Sequence, residues 1–199
     1  MARMNHTRIG IFGGTFDPPH LGHLIAAQQA AELLRLDRVL FIPAGRPPHK
    51  RQRVKAPAAA RLAMVRLAIA GNPLFECSDI ELRSEHPSYT ADTLQRLTVS
   101  HPGARLHLLI GLDQAVLLPA WRQPERLFAQ AKVCVLARPG STFDTIPLPW
   151  RRRITAVPVS LIDISASTIR RRVAAGQRIG YLVTPAVARY ISKQGIYLR

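Results

Sequence analysis

The chain has 199 residues, 47% of them hydrophobic, which is the size and composition of one globular domain with a sizeable core. No apolar run is long enough to cross a bilayer, and the first residues lack the apolar core of a secretion signal. Its two cysteines, Cys77 and Cys134, lie far apart without metal-ligand spacing and read as reduced, buried thiols of a cytoplasmic protein. The formal net charge of +16 by itself suggests nucleic acid. Against that, Lys50, Lys55, Lys132 and Lys193 are the only lysines, aromatics are 6%, and no RRM, KH or zinc-finger pattern is present. The charge can equally steer small anionic substrates, so a dedicated nucleic-acid function is disfavoured.

Apolar strands alternate with helical patterns along the chain, which predicts a parallel α/β sheet. Strands are expected at 8–12, 38–42, 74–79, 105–110, 132–137 and 154–158, and helices at 21–34, 58–70, 89–100, 124–130, 167–175 and 185–193. Ligands of such sheets sit outside the carboxyl ends of the strands, where strand order reverses. Most of the motifs fall just after strands and so can converge on one cleft.

The first is the most informative. A short strand runs into Gly13-Gly14-Thr15-Phe16-Asp17, two prolines, then His20 and His23 bracketing Gly22 at a helix start. Strand, glycine turn and helix N-terminus aim backbone N–H groups at a phosphate, and two histidines add donors. There is no Gly-Lys-Ser/Thr and no G-x-G-x-x-G, so this is neither a Walker loop nor a dinucleotide fingerprint. After the second strand, a stiff proline loop carries Arg46, His49 and Lys50, either a solvated loop or a phosphate contact. Ser88, Tyr89, Thr90 and Asp92 mark a helix start, with Ser88 or Thr90 available as its cap. Gly111 ends the fourth strand; Asp113 suits either an N-cap or a ribose hydroxyl. Trp121 beside Pro119 reads first as a packing residue. Arg138 follows the fifth strand, as an exposed turn residue or a phosphate ligand. Ser165, Ser167 and Arg170 open a late helix and form a second candidate anion site.

The stretch from Gly13 to His23 resembles the long form of the H-x-G-H signature found in nicotinate-nucleotide adenylyltransferases, within the nucleotidylyltransferase superfamily. The resemblance extends through Pro47-Pro48-His49-Lys50, Ser88-Tyr89-Thr90, Arg138-Pro139-Gly140, the segment from Ile164 to Arg170, and the ending from Val183 to Tyr197, whose role reads as structural. In the family pattern a second serine stands where this chain has Ala166, and a threonine where it has Ser167. The resemblance implies a Rossmann-like, doubly wound, mainly parallel sheet flanked by helices in a single domain (1–199), with a core of about 8–160 and a C-terminal helical part of about 161–199. It implies adenylyl transfer from ATP, with Mg²⁺, to nicotinate mononucleotide, giving deamido-NAD and pyrophosphate. His20 and His23 would serve the triphosphate and the transition state. Gly13, Gly14, Thr15, Gly111, Asp113, Ser165, Ser167 and Arg170 would bind ATP. Phe16, Asp17, His49, Lys50, Tyr89, Thr90, Trp121 and Arg138 would bind the mononucleotide, with Trp121 stacking on its ring. Nicotinamide mononucleotide and phosphopantetheine are the rival acceptors, and a non-catalytic RNA-binding protein is the rival of another class. The reading involves no membrane and allows a homo-oligomer.

Overall fold

The computed structural model describes residues 6–45, 54–84, 87–137, 140–160 and 162–198. Six strands form one sheet: β1 (Arg8–Gly14), β2 (Arg38–Pro43), β3 (Phe75–Cys77), β4 (Arg105–Gly111), β5 (Ala131–Ala137) and β6 (Thr155–Pro158). Their order is β3-β2-β1-β4-β5-β6, and every neighbouring pair is parallel. The chain steps outward from β1 in one direction, then returns and steps outward from β4 in the other. The reversal point lies between β1 and β4, and both strands end in glycine there.

The helices are α1 (Leu21–Leu34), α2 (Ala58–Ile69), α3 (Thr90–Ser100), α4 (Leu112–Val116), α5 (Pro124–Gln130), α6 (Leu148–Arg151), α7 (Ala166–Ala174) and α8 (Pro185–Lys193). A turn of 3₁₀ helix, Leu118–Ala120, joins α4 to α5. The sequence pattern anticipated the long helices; α4, α6 and the 3₁₀ turn are too short to show a period. Expected β3 shrinks from six residues to three, because only Phe75–Cys77 pairs with β2.

Strand alternation sorts the core into two layers. Phe12, Phe41 and Leu136 face a cluster with Ala27 and Ala30 of α1, Met64 and Val65 of α2, Ile169 of α7 and Val187 of α8. Ile9, Ile11, Leu108 and Val135 face the other, with Leu94 of α3, Ala115 of α4 and Leu127 of α5. The C-terminal helices thus complete the same core as the sheet. The buried face of α1 is all alanine (Ala26, Ala27, Ala30, Ala31), which lets the helix lie close on the strands.

The loop leaving β2 is packed on the segment before α3. A Cβ on Gly45 would stand 2.3 Å from the Glu81 carbonyl oxygen, a backbone atom that cannot rotate away. Gly45→Ala is therefore expected to destabilise the fold by about 1–3 kcal/mol, read as a lower denaturation midpoint in a urea titration.

Candidate active site

The β1–α1 turn stands at the carboxyl end of the sheet, beside the reversal point. A Cβ on Gly13 would meet nothing within 4 Å, so this backbone faces open space that a ligand can approach. Phe16 takes a left-handed backbone (φ 50°) and turns its ring inward. His20 is the extended N-cap residue of α1, and its N–H donates to His23 Nδ1 at 3.2 Å. With Nδ1 accepting, the neutral His23 ring carries its proton on Nε2. The two imidazoles stack, centroids 3.6 Å apart. Gly22 makes this possible: a Cβ there would sit 3.1 Å from His20 Nδ1. The spacing H-x-G-H therefore has a steric reason in this fold.

Both histidines are held neutral. Burial pulls His20 down to about 4, and burial followed by the neighbouring His20 pulls His23 down to about 3. His20 is 9% exposed, and its buried Nδ1 has no partner among the described residues. His23 packs edge-on against Phe12 and Phe16.

A second helix N-terminus lies against the first. Gly22 approaches the Ile162 carbonyl in the loop leading to α7. Ser165 caps α7 by accepting from the Thr168 N–H at 3.2 Å, and it contacts the Ser167 hydroxyl at 3.0 Å. Ser165 and Ser167 are exposed. Arg170, one turn on, donates to the Asp17 carbonyl at 2.8 Å. Two helix N-termini with hydroxyls, imidazoles and a guanidinium thus converge on the glycine turn, an arrangement suited to a polyphosphate.

Phe16 and Asp17, expected at the mononucleotide, are each 2% exposed and turn their side chains into the protein. The Phe16 ring packs against Phe12, Phe41 and His23. The Asp17 carboxylate accepts from the N–H groups of Lys55 (2.7 Å) and Ala56 (3.0 Å) and from the Tyr197 hydroxyl (2.6 Å). Only the backbone of these two residues is left to face a ligand.

Tyr89 and Thr90 open α3, and Tyr89 lies beside Arg122, the chain neighbour of Trp121. Tyr89, not Ser88 or Thr90, is the N-cap residue of α3, and its side chain makes no capping bond. The Arg122 guanidinium lies 4.5 Å over the Tyr89 ring and 3.6 Å from Asp92, which pins the Trp121–Arg122 corner to the start of α3. Trp121 is partly buried against the second core layer. At the end of β4, Gly111 is the N-cap residue of α4; Asp113 sits inside the helix, its exposed carboxylate accepting from Gln114. Arg46, His49, Lys50 and Arg138 lie outside the described residues.

Two residues of this region escaped the sequence reading. Arg61 of α2 is buried and donates to the Thr15 carbonyl at 2.9 Å. Glu81 accepts from Thr93 Oγ1 at 2.9 Å and from the Gly45 N–H at 3.4 Å, joining the loop after β2 to α3; burial, partly countered by these bonds, raises its pKa.

The cytidylyltransferase-like family model matches residues 11–172, which contain the turn, both histidines and Arg170. A protein of Thermomicrobium roseum named as a probable nicotinate-nucleotide adenylyltransferase is 47% identical over 197 residues, covering 96% of this chain and 92% of that one. The chain belongs to the nicotinate-nucleotide adenylyltransferase family. A relative of the same name from Thermus thermophilus is 45% identical, covering 96% of this chain and 99% of its own length. Among solved structures, the nicotinic acid mononucleotide adenylyltransferase of Plasmodium falciparum complexed with NaAD shares the fold with a TM-score of 0.78 at 19% identity, covering 96% of this chain and 98% of that one.

The depressed histidines give the stability a pH signature. Above about pH 6.5 both rings are neutral folded and unfolded, so they contribute nothing to the slope. Between there and about pH 4 the unfolded chain takes up protons that the folded chain refuses. Stability should fall with decreasing pH by about 1.4 kcal/mol per pH unit for each histidine. Urea titrations at several pH values should show this slope in the native chain and a shallower one in the double variant His20→Ala/His23→Ala.

Proposed function

We propose that this chain transfers the adenylyl group of ATP to nicotinate mononucleotide, giving deamido-NAD and pyrophosphate, a step of NAD biosynthesis. The observation that carries this reading is the glycine turn at the β1/β4 reversal, ringed by the stacked His20–His23 pair and the Ser165–Arg170 helix start, in a chain 47% identical to a relative with that name.

In this reaction an oxygen of the mononucleotide 5′-phosphate attacks the α-phosphorus of ATP. A new P–O bond forms as the bond from the α-phosphorus to the bridging oxygen breaks, and pyrophosphate leaves with the electron pair. The phosphate is already a competent nucleophile, so no protein nucleophile is needed. The enzyme's task is to hold two anions in line and to stabilise charge moving onto the leaving group. Positioning alone is worth roughly 7–11 kcal/mol when the geometry is right.

Gly13, Gly14 and Thr15 bring backbone close to the transferred phosphoryl group. His20 and His23 face the triphosphate; a neutral imidazole donates one N–H, and an arriving polyanion raises the affinity of each ring for a second proton. Ser165, Ser167 and Arg170 take the β- and γ-phosphates, and Gly111 and Asp113 take the nucleoside. Tyr89, Thr90 and Trp121 form the pyridine pocket, where the N-terminus of α3 suits a carboxylate. His49, Lys50 and Arg138 add positive charge to the incoming phosphates.

Mg²⁺ accompanies ATP. Among the described residues no three His, Cys, Asp or Glu side chains stand together as a metal site. Bound with ATP, the ion would draw its ligands mainly from phosphate oxygens and water, as magnesium commonly does. No described helix is long and apolar enough to cross a membrane, and we place the enzyme in the cytoplasm. The adenylyltransferase domain spans 1–199, with its Rossmann-like core at about 8–160.

The test is pyrophosphate release from Mg-ATP by the purified chain with nicotinate mononucleotide, nicotinamide mononucleotide or phosphopantetheine. The expected result is strong preference for nicotinate mononucleotide. Preference for another acceptor would keep the chemistry and discard the pocket around Thr90 and Trp121. No release with any acceptor, together with steeply salt-dependent RNA binding, would overturn the reading.

A further inference from the structure

Among the described residues Arg61 is the largest fully buried side chain, 2% exposed on the inner face of α2. A guanidinium in such a place needs an explanation, because a buried charge without a partner costs several kcal/mol. Among the described residues Arg61 has no carboxylate at ion-pair distance. Asp17 and Glu81 are near enough to favour its charge, but their oxygens are taken up elsewhere, Asp17 by two backbone N–H groups and Tyr197, and Glu81 by Thr93 and Gly45. Among the described residues Arg61 Nε is buried with no hydrogen-bond partner, and Nη1 makes the one bond of the guanidinium, to the Thr15 carbonyl. Filling the core does not require this residue: a methionine would occupy the space without a stranded donor.

What the guanidinium does that no apolar side chain can is hold the Thr15 carbonyl. In a trans peptide the carbonyl and the following N–H point in opposite directions. Drawing the Thr15 oxygen down toward α2 therefore aims the Phe16 N–H up, away from the core. That N–H donates to no acceptor among the described residues. It belongs to the turn that carries Gly13 and Gly14, beside the histidine pair.

We propose that Arg61 is a positioning residue: it fixes the Thr15–Phe16 peptide so that the Phe16 N–H donates to the phosphoryl group in transfer, and it keeps a permanent positive charge beneath that turn. This rests on the adenylyl-transfer reading.

The experiment compares Arg61→Met, Arg61→Lys and Met64→Ala for kcat, KM for ATP, melting temperature and affinity for AMP, whose phosphate is the phosphoryl group in transfer. Met64 is buried one turn along α2, on the same face as Arg61, so its truncation reports destabilisation alone. Arg61→Met should lower kcat about 10²-fold with KM for ATP changed far less, as a misplaced donor does. Arg61→Lys, which keeps charge and a donor, should restore about tenfold of that loss. Met64→Ala should lower the melting temperature with kcat near native. Native kcat in folded Arg61→Met, or equal kcat losses in Arg61→Met and Met64→Ala at matched melting temperatures, would overturn the proposal. If Arg61→Met does not fold, Arg61→Lys decides: a kcat loss without a KM change supports the role, and native kcat refutes it. A native chain that turns over no mononucleotide ends the reaction assignment instead. AMP affinity then tests Arg61, with a loss of about tenfold expected in the Met variant and none if the residue only fills space.

Discussion

The buried Asp17 carboxylate is the joint on which the candidate site depends. It has been taken out of water, and three donors from distant parts of the chain replace the hydration it lost: two backbone N–H groups from the segment before α2 and the hydroxyl of Tyr197 near the C-terminus. Its own carbonyl takes Arg170 of α7. Burial and the bond to Asp17 push the Tyr197 hydroxyl well above its usual range, so it stays a donor. The glycine turn proposed to meet a polyphosphate is in this way tied to the loop after β2, to α7 and to the C-terminal residues together. The last residues, whose family resemblance suggested only structure, support the glycine turn directly through Tyr197.

The same region shows how a strongly basic chain manages charge. The formal excess is +16, yet the two histidines nearest the turn are kept neutral by burial. As neutral rings they contribute N–H dipoles, alongside those of the α1 and α7 N-termini. Such groups favour an anion without repelling one another before it arrives. Full positive charge is supplied by Arg170 at the rim and Arg61 beneath, each hydrogen-bonded to a carbonyl of the turn.

Much of this was legible in the sequence, for definable reasons. The strand periodicity, the glycine turn and the Pro or Ser/Thr helix starts located β1, α1, α5 and α8 closely, since each carries its own local signal. The H-x-G-H spacing marked the histidine pair. Strand order was legible only through the family resemblance, because nothing local says that β4 returns to lie beside β1. Arg61 was hidden for a related reason: α2 carries Arg61 and Arg66 in an alanine-rich stretch, and only the tertiary packing makes one buried and the other exposed. Phe16 and Asp17 were placed at the substrate by their position in the motif, but their side chains serve the core. Glu81 lacks a motif of its own; its role appears only when Gly45 and Thr93 are brought to it.

The account stands on the stacked His20–His23 pair as the centre of the chemistry. The most direct measurement is steady-state turnover of His20→Ala and His23→Ala with saturating Mg-ATP and nicotinate mononucleotide, alongside melting curves at neutral pH. Each variant should retain a cooperative melt and lose turnover by about 10²–10³-fold, the usual cost of removing a group that stabilises charge in the transition state. Near-native turnover in both would contradict the account.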